Sequence, residues 1–164
     1  MVDKKKIPEW LGKHPFLPDK KKPVVIRKSD EVSTIYGNYD GPISSQIYIS
    51  TDQISLTDYT LAPGTHIEPP GMHNQGDECY YILEGDPIAF NPEAGEVYQL
   101  HAGDVLYIPQ GTWHQIFNFT DKIIKAICCI APKIWVEDDE MGTEIKYTGK
   151  PKFFKSEEEM TNGS

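Results

Sequence analysis

Short apolar runs recur along the middle of the chain, and turn-forming residues separate them. Runs rich in Val, Ile, Tyr and Thr alternate with Gly, Pro, Asn and Asp at intervals of about 8 to 12 residues, which is typical of short strands. The pattern predicts an all-β sandwich or barrel of roughly eight to ten strands. The predicted strands are VVIRK, SQIYIS, QISLTDYTLA, CYYILEG, PIAF, VYQLH, VLYIP, QIFNF and KIIKAICCIAP.

Alternation within these runs predicts which side chains share a face. Successive side chains of a strand point to opposite faces, so Glu78 shares a face with Tyr80, and His114 shares one with Ile116. An ionisable group on an apolar face points into the core, where it needs a partner. Further members of the predicted inward faces are Ile82, Asn118, Ile124, Ala126, Cys128 and Ile130.

The charge is unevenly distributed along the 164 residues, whose net charge is −9. Residues 1–28 carry nine Lys or Arg and three acidic residues, so the rest of the chain is strongly acidic. An acidic body repels phosphates, which makes nucleic-acid binding an unfavourable interpretation. No apolar stretch approaches the roughly 18 to 20 residues of a membrane span, and the N-terminus lacks the apolar core of a signal peptide. We therefore expect a cytoplasmic protein without a membrane partner.

The domain organisation is expected to be simple. We predict a basic N-terminal arm at 1–22, one β-barrel at 23–150 and a flexible acidic tail at 151–164. The arm is expected to cross to a partner in a homodimer, because the late strand has an apolar outer face with Ile123, Ile127 and Cys129. The three cysteines are an odd number without zinc-site spacing, so they are interpreted as reduced thiols.

Two stretches carry the candidate chemistry. In GDVLYIPQGTWHQIFN (103–118), a strand ends at a Pro/Gly turn, and the turn delivers His114 into the next strand. In PPGMHNQGDECYYILEG (69–85), His73 precedes Glu78 by five residues at the start of an apolar strand. Together they place two imidazoles and one carboxylate on inward-facing positions.

These stretches resemble the two motifs of the cupin superfamily. The second motif is complete, with Gly103, Pro109, Gly111, His114 and Asn118; the first matches from His73 through Glu78 to Gly85. The resemblance implies a double-stranded β-helix, a jelly-roll-like barrel, with motifs at 71–85 and 103–118. It also implies a metal ion held by His73, Glu78 and His114.

The first motif departs from the family at one ligand. Cupins with the full pattern have His-x-His where this chain has Gly71-Met72-His73. Two histidines and one carboxylate with open positions are typical of non-haem Fe(II) oxygen chemistry, so Fe(II) is expected first, with Mn(II), Ni(II) or Zn(II) possible. The expected activity is a dioxygenase acting on a small oxo, hydroxy or aromatic substrate. The alternatives are a cupin isomerase, lyase or decarboxylase, and a non-catalytic small-ligand-binding cupin.

The loop before His73 offers replacements for the missing ligand. His66, Glu68 and Gln75 are the candidates, since a bent loop or a flexible Gly76 could return one of them to the metal. His66 and Glu68, together with Tyr80, are also the predicted acid/base groups. The competing interpretation is a degenerate cupin in which Glu78 hydrogen-bonds both histidines without a metal.

Overall fold

A computed structural model describes residues 13–15, 22–38, 41–67 and 70–132, and these residues form antiparallel β-structure. The predicted acidic tail at 151–164 and most of the predicted arm at 1–22 lie outside the described residues. Within the arm, the His14 N–H donates to Ser50 O at 2.9 Å, and the Ser50 N–H donates to His14 O at 2.7 Å. This short bridge joins the arm to the end of a strand. No helix in the described part of the chain has the length and hydropathy of a membrane span.

Nine strands run through the described residues, within the predicted number. They are β1 (Val32–Asn38), β2 (Gly41–Ser50), β3 (Ser55–Leu61), β4 (Asp77–Glu84), β5 (Ile88–Asn91), β6 (Glu96–Gln99), β7 (Val105–Ile108), β8 (Gln115–Phe117) and β9 (Ile124–Ala131). One sheet has the order β1-β2-β3-β9-β4-β7, and the other has the order β6-β5-β8. The prediction of a strand at VVIRK was wrong: residues 23–27 form no strand, and a 3₁₀ turn follows at Lys28–Asp30.

The core lies between the two sheets and follows the alternation of the sequence. In β4, Tyr80 and Ile82 are 5% and 3% exposed, whereas Tyr81 and Leu83 are 46% and 42% exposed. Apolar burial of this kind contributes roughly 25 cal/mol for each Å² removed from water. The buried cluster comprises Tyr59, Leu61, Tyr80, Ile82, Ala89, Leu100, Ile108, Ile116, Ile124, Ala126, Cys128 and Ile130.

A buried asparagine closes the second motif. Asn118 is fully buried, and its Nδ2 donates to three backbone carbonyls, those of Leu61 (3.1 Å), Ala62 (3.0 Å) and Lys122 (2.8 Å). Its Oδ1 accepts hydrogen bonds from the backbone N–H and the hydroxyl of Thr120. Asn118 therefore braces the turn after β8 and ties it to the end of β3.

Candidate metal centre

The two motifs meet where Glu78 of one sheet faces His114, which lies next to a strand of the other sheet. Glu78 is the second residue of β4, a strand that pairs with β9 on one side and with β7 on the other. His114 lies immediately before β8, and His73 lies in the segment that leads into β4. The topology thus brings two imidazoles and one carboxylate, distant in sequence, to the same point.

The three side chains face one another within hydrogen-bond distance. Glu78 Oε2 lies 3.1 Å from His73 Nε2 and 2.8 Å from His114 Nε2. Their potential ligand atoms all lie within 4.8 Å of one another. Exposure is 3% for Glu78 and 9% for each histidine, so the cluster is shielded from bulk water. Such a His/Glu/His cluster can hold a divalent ion.

The second motif orients the His114 ring. Its Nδ1 lies 3.0 Å from Thr112 O, and a carbonyl can only accept, so Nδ1 carries the proton. In the neutral ring, Nε2 then directs its lone pair at the Glu78 carboxylate. The lone pairs of His114 Nε2 and Glu78 Oε2 would repel each other at 2.8 Å unless a positive charge lies between them. That charge is either a second proton on the ring or a metal ion. The donor set and its orientation therefore fit a metal.

The turn before His114 is anchored to the first motif. The Gly111 N–H donates to His73 O at 2.9 Å, and the Gln110 N–H donates to the Asp77 carboxylate at 2.8 Å. Tyr107 also donates its hydroxyl to Asp77, and these hydrogen bonds lower the pKa of Asp77. Gly111 has φ 79°, a conformation that favours glycine. Each motif thus fixes the backbone that carries a histidine of the other.

The electrostatics of the cluster favour a charged pair. Burial acts to raise the pKa of Glu78, but the charge and hydrogen bond of His114 and those of His73 outweigh burial and hold this pKa well below its ordinary value. Burial acts to lower the pKa of His114, but the Glu78 carboxylate outweighs it and raises this pKa. In the metal-free protein, the arrangement therefore favours a carboxylate beside an imidazolium.

Sequence reasoning missed one partner of the cluster. Cys128 lies on β9, and its thiol donates to Glu78 Oε1 at 3.0 Å, leaving Oε2 to the histidines. Burial and the nearby Glu78 charge raise the pKa of this thiol well above its ordinary value, so it stays protonated as a donor. Cys128 was predicted as an inward apolar residue. Its position opposite Tyr80 in the β4–β9 register is the signal that could have identified it.

Gly71 occupies the position at which cupins with the full motif have their first histidine. It pairs with His114: the Gly71 N–H donates to His114 O at 2.8 Å, and the His114 N–H donates to Gly71 O at 2.9 Å. A Cβ added at Gly71 would lie 3.7 Å from His114 Nε2, an ordinary van der Waals contact. A side chain at position 71 would therefore start beside the His114 ring without a clash.

Among the proposed replacement ligands that the structure describes, His66 does not join the cluster. His66 pairs with Phe117 and stacks on its ring, with centroids 5.2 Å apart. Because directly paired residues share a face, and Phe117 and Ile116 point to opposite faces, the His66 ring lies away from the side of His114. Gln75 is exposed, and Glu68 lies outside the described residues.

Tyr80 faces the interior, as the alternation predicted. It is 5% exposed, and its ring makes an edge-on contact with Tyr59 at 5.6 Å. Its hydroxyl is in hydrogen-bond contact with the Cys128 thiol. The apolar interior around Tyr59 and Tyr80 encloses a cavity of about 10 Å³, close to the minimum for one water molecule. That part of the interior is filled by side chains.

Comparison with known proteins identifies the domain. Residues 57–130 match the family model of the cupin domain. Residues 57–130 form a cupin domain. Among curated proteins, an uncharacterized protein of Methanocaldococcus jannaschii is 36% identical over 69 residues, which cover 42% of this chain. The match spans 54% of that relative, about half its length.

Solved structures have the same fold as this cupin domain. A predicted oxalate decarboxylase from Thermotoga maritima has a TM-score of 0.59 at 22% identity, with 66% of this chain and 99% of that chain covered. An uncharacterized conserved protein with a double-stranded β-helix domain from Klebsiella pneumoniae has a TM-score of 0.56 at 18% identity, with 68% and 89% covered. The predicted cupin fold is confirmed.

Proposed function

We propose that this protein is a metal-dependent cupin enzyme that oxygenates a small polar substrate, with Fe(II) held by His73, Glu78 and His114. The proposal rests on Gly71, which lies beside the cluster and has no side chain where a fourth protein ligand would bind. A centre with three protein ligands leaves positions for a substrate that binds through two atoms and for oxygen.

The residues of the chain hold this centre in one arrangement. The Thr112 carbonyl fixes the His114 ring with Nε2 toward the shared point, and Cys128 holds Oε1 of Glu78 so that Oε2 faces both histidines. Such outer partners preserve ligand geometry and ligand basicity. When bound, Fe(II) would supply oxygen activation and polarisation of the substrate oxygens.

The surroundings of the cluster favour oxygenation over a redox-neutral reaction. Isomerases, lyases and decarboxylases need a positioned acid or base within reach of the substrate. Of the predicted acid/base groups within the described residues, His66 lies away from the His114 side, and the Tyr80 hydroxyl is engaged with Cys128. The redox-neutral alternative, with Mn(II), Ni(II) or Zn(II), is supported by one observation: Tyr80 lies on the same inward face as Glu78.

A metal and oxygen-uptake experiment tests the proposal. The full-length protein is purified anaerobically, loaded with Fe(II), analysed for metal and mixed with catechols, thiols and oxo acids while dissolved oxygen is recorded. We expect near-stoichiometric iron and substrate-dependent oxygen uptake, both lost in His73→Ala and in His114→Ala.

The outcomes separate the alternatives. Iron far below one ion per chain, in a protein that folds normally, would refute the metal centre and favour a non-catalytic binding module. Stoichiometric metal with substrate turnover but no oxygen uptake would favour the redox-neutral enzyme. In that case Tyr80→Phe should abolish turnover while metal content is unchanged.

A further inference from the structure

Two cysteines face each other on the outer side of the sheet, behind the metal cluster. Cys79 of β4 and Cys129 of β9 are direct partners in the antiparallel register. Their sequence neighbours Glu78 and Cys128 point to the opposite, inner face, where they hydrogen-bond to each other. The outer pair is therefore separate from the cluster, although it lies on the same two strands.

The pairing geometry suits a disulfide. Directly opposite residues of an antiparallel pair have Cα atoms about 4.5 to 5.5 Å apart, and disulfides span Cα distances of about 4.4 to 6.8 Å. The Cys129 thiol is in hydrogen-bond contact with the Cys79 thiol, and both residues are partly exposed. A small oxidant can thus reach a thiol that already touches its partner.

The third cysteine does not compete for this bond. Cys128 is buried, and its thiol donates to Glu78 on the inner face. Cys128 and Cys129 are neighbours along one strand, so their side chains point to opposite faces. The geometry therefore selects one pair among the three cysteines.

We propose that Cys79 and Cys129 form a reversible intramolecular disulfide, with a low-molecular-weight disulfide RSSR as the oxidant. The sulfur of one cysteine attacks RSSR, which breaks the S–S bond and releases RSH together with a mixed disulfide. The second cysteine attacks the protein sulfur of that mixed disulfide and releases the second RSH. The two cysteines lose two hydrogens and two electrons, and RSSR gains them as 2 RSH.

This property goes beyond the proposed reaction and does not depend on it. The crosslink would join β4 and β9 at the residues that follow Glu78 and Cys128 in the sequence. Partly exposed disulfides are the ones that reducing thiols reopen most readily, which is the behaviour of a regulatory bond. The structure thus assigns a redox-modifiable site to the back of the sheet that carries the metal ligands.

The test uses glutathione disulfide as the probe on the native, full-length protein. Samples equilibrated over a series of reduced-to-oxidised glutathione ratios are acid-quenched, alkylated and analysed by mass spectrometry and peptide mapping. We expect a species lighter by two hydrogens, with residues 79 and 129 in crosslinked peptides, and full reversal by dithiothreitol. Cys79→Ser and Cys129→Ser should stop at a mixed disulfide, and Cys128→Ser should still form the crosslink.

Several results would overturn the proposal. These are three alkylated thiols at every ratio, a crosslink that includes Cys128, or a bond between two chains on a non-reducing gel. If a serine variant fails to fold, as judged by circular dichroism, the peptide map of the wild-type protein decides alone.

Discussion

Replacing Gly71 by histidine tests the interpretation that a side chain at this position would act as a further metal ligand. A Cβ there meets His114 Nε2 at 3.7 Å and Cε1 at 3.9 Å, and neither contact forces a displacement. The backbone is held by both hydrogen bonds to His114, so the new side chain starts from a fixed point beside the cluster. Gly71→His should therefore add a fourth ligand and bind divalent metal more tightly than the wild type.

The expected magnitude follows from the strength of four-ligand sites. Structural zinc sites bind with roughly 10 to 16 kcal/mol, or about 2.5 to 4 kcal/mol for each ligand. Ordering the new side chain costs on the order of 1 kcal/mol. The remaining ~1.5 to 3 kcal/mol corresponds to an affinity gain of roughly 10- to 100-fold. The same ligand occupies the position proposed for substrate, so turnover should fall while metal content rises.

The assay is chelator competition with Zn(II) and Fe(II) at fixed pH, with Gly71→Ala as the matched control. Alanine fills the same space without a donor atom and should leave metal affinity within about threefold of the wild type. Equal affinities for the histidine and alanine variants, with both folded, would refute the reasoning: position 71 would then not point at a metal.

Three further predictions address the cluster and the brace. Glu78→Gln should lower metal affinity by more than about 100-fold in chelator competition, because it removes the anionic ligand; Glu84→Gln, at an exposed carboxylate, should leave it unchanged. Asn118→Ala should lower the free energy of unfolding in urea by roughly 2 to 4 kcal/mol, because three carbonyls lose their donor. A loss no larger than that of Asn91→Ala, at the end of β5, where the side chain accepts hydrogen bonds only from the turn that follows, would contradict this. With a chelator present to keep the protein metal-free, Glu78 should stabilise the fold above about pH 4.5 and lose that effect as pH falls through its lowered folded pKa. His114 should stabilise the fold below about pH 6.5 and lose that effect as pH rises through its raised folded pKa. Urea midpoints should therefore be highest between these values, and a profile that Glu78→Gln leaves unchanged would exclude this pair as the cause.

Alternation along β4 was sufficient to predict the inward face. Glu78, Tyr80 and Ile82 are buried as expected. In a strand with one buried face, every second side chain points to that face. β1 was missed because VSTIYGN carries little apolar alternation; in the structure it pairs with β2 in antiparallel register. Near β8 the alternation of side chains gave less information, because Trp113 and Gln115 are buried along with His114 and Ile116. When both faces of a strand are covered, buried and exposed side chains do not alternate along it.

The position of His66 could not be predicted from local sequence. His66 and Gly71 lie five positions apart, whereas their partners Phe117 and His114 lie three positions apart. The faces that His66 and Gly71 take therefore depend on pairing with residues 51 and 43 positions away in the sequence. The directions of these side chains therefore required the fold.

The paired backbone of Gly71 and His114 also bears on how such sites change during evolution. Since the main chain keeps this position aimed at the cluster without a side chain, mutation can alter the number of ligands without first rebuilding the loop. The genetic code connects glycine to histidine through aspartate, which is itself a metal ligand. A lineage could thus exchange an open centre for a closed one through an intermediate that binds an ion itself, and related proteins with Asp or His at this position would record the middle and the end of that route.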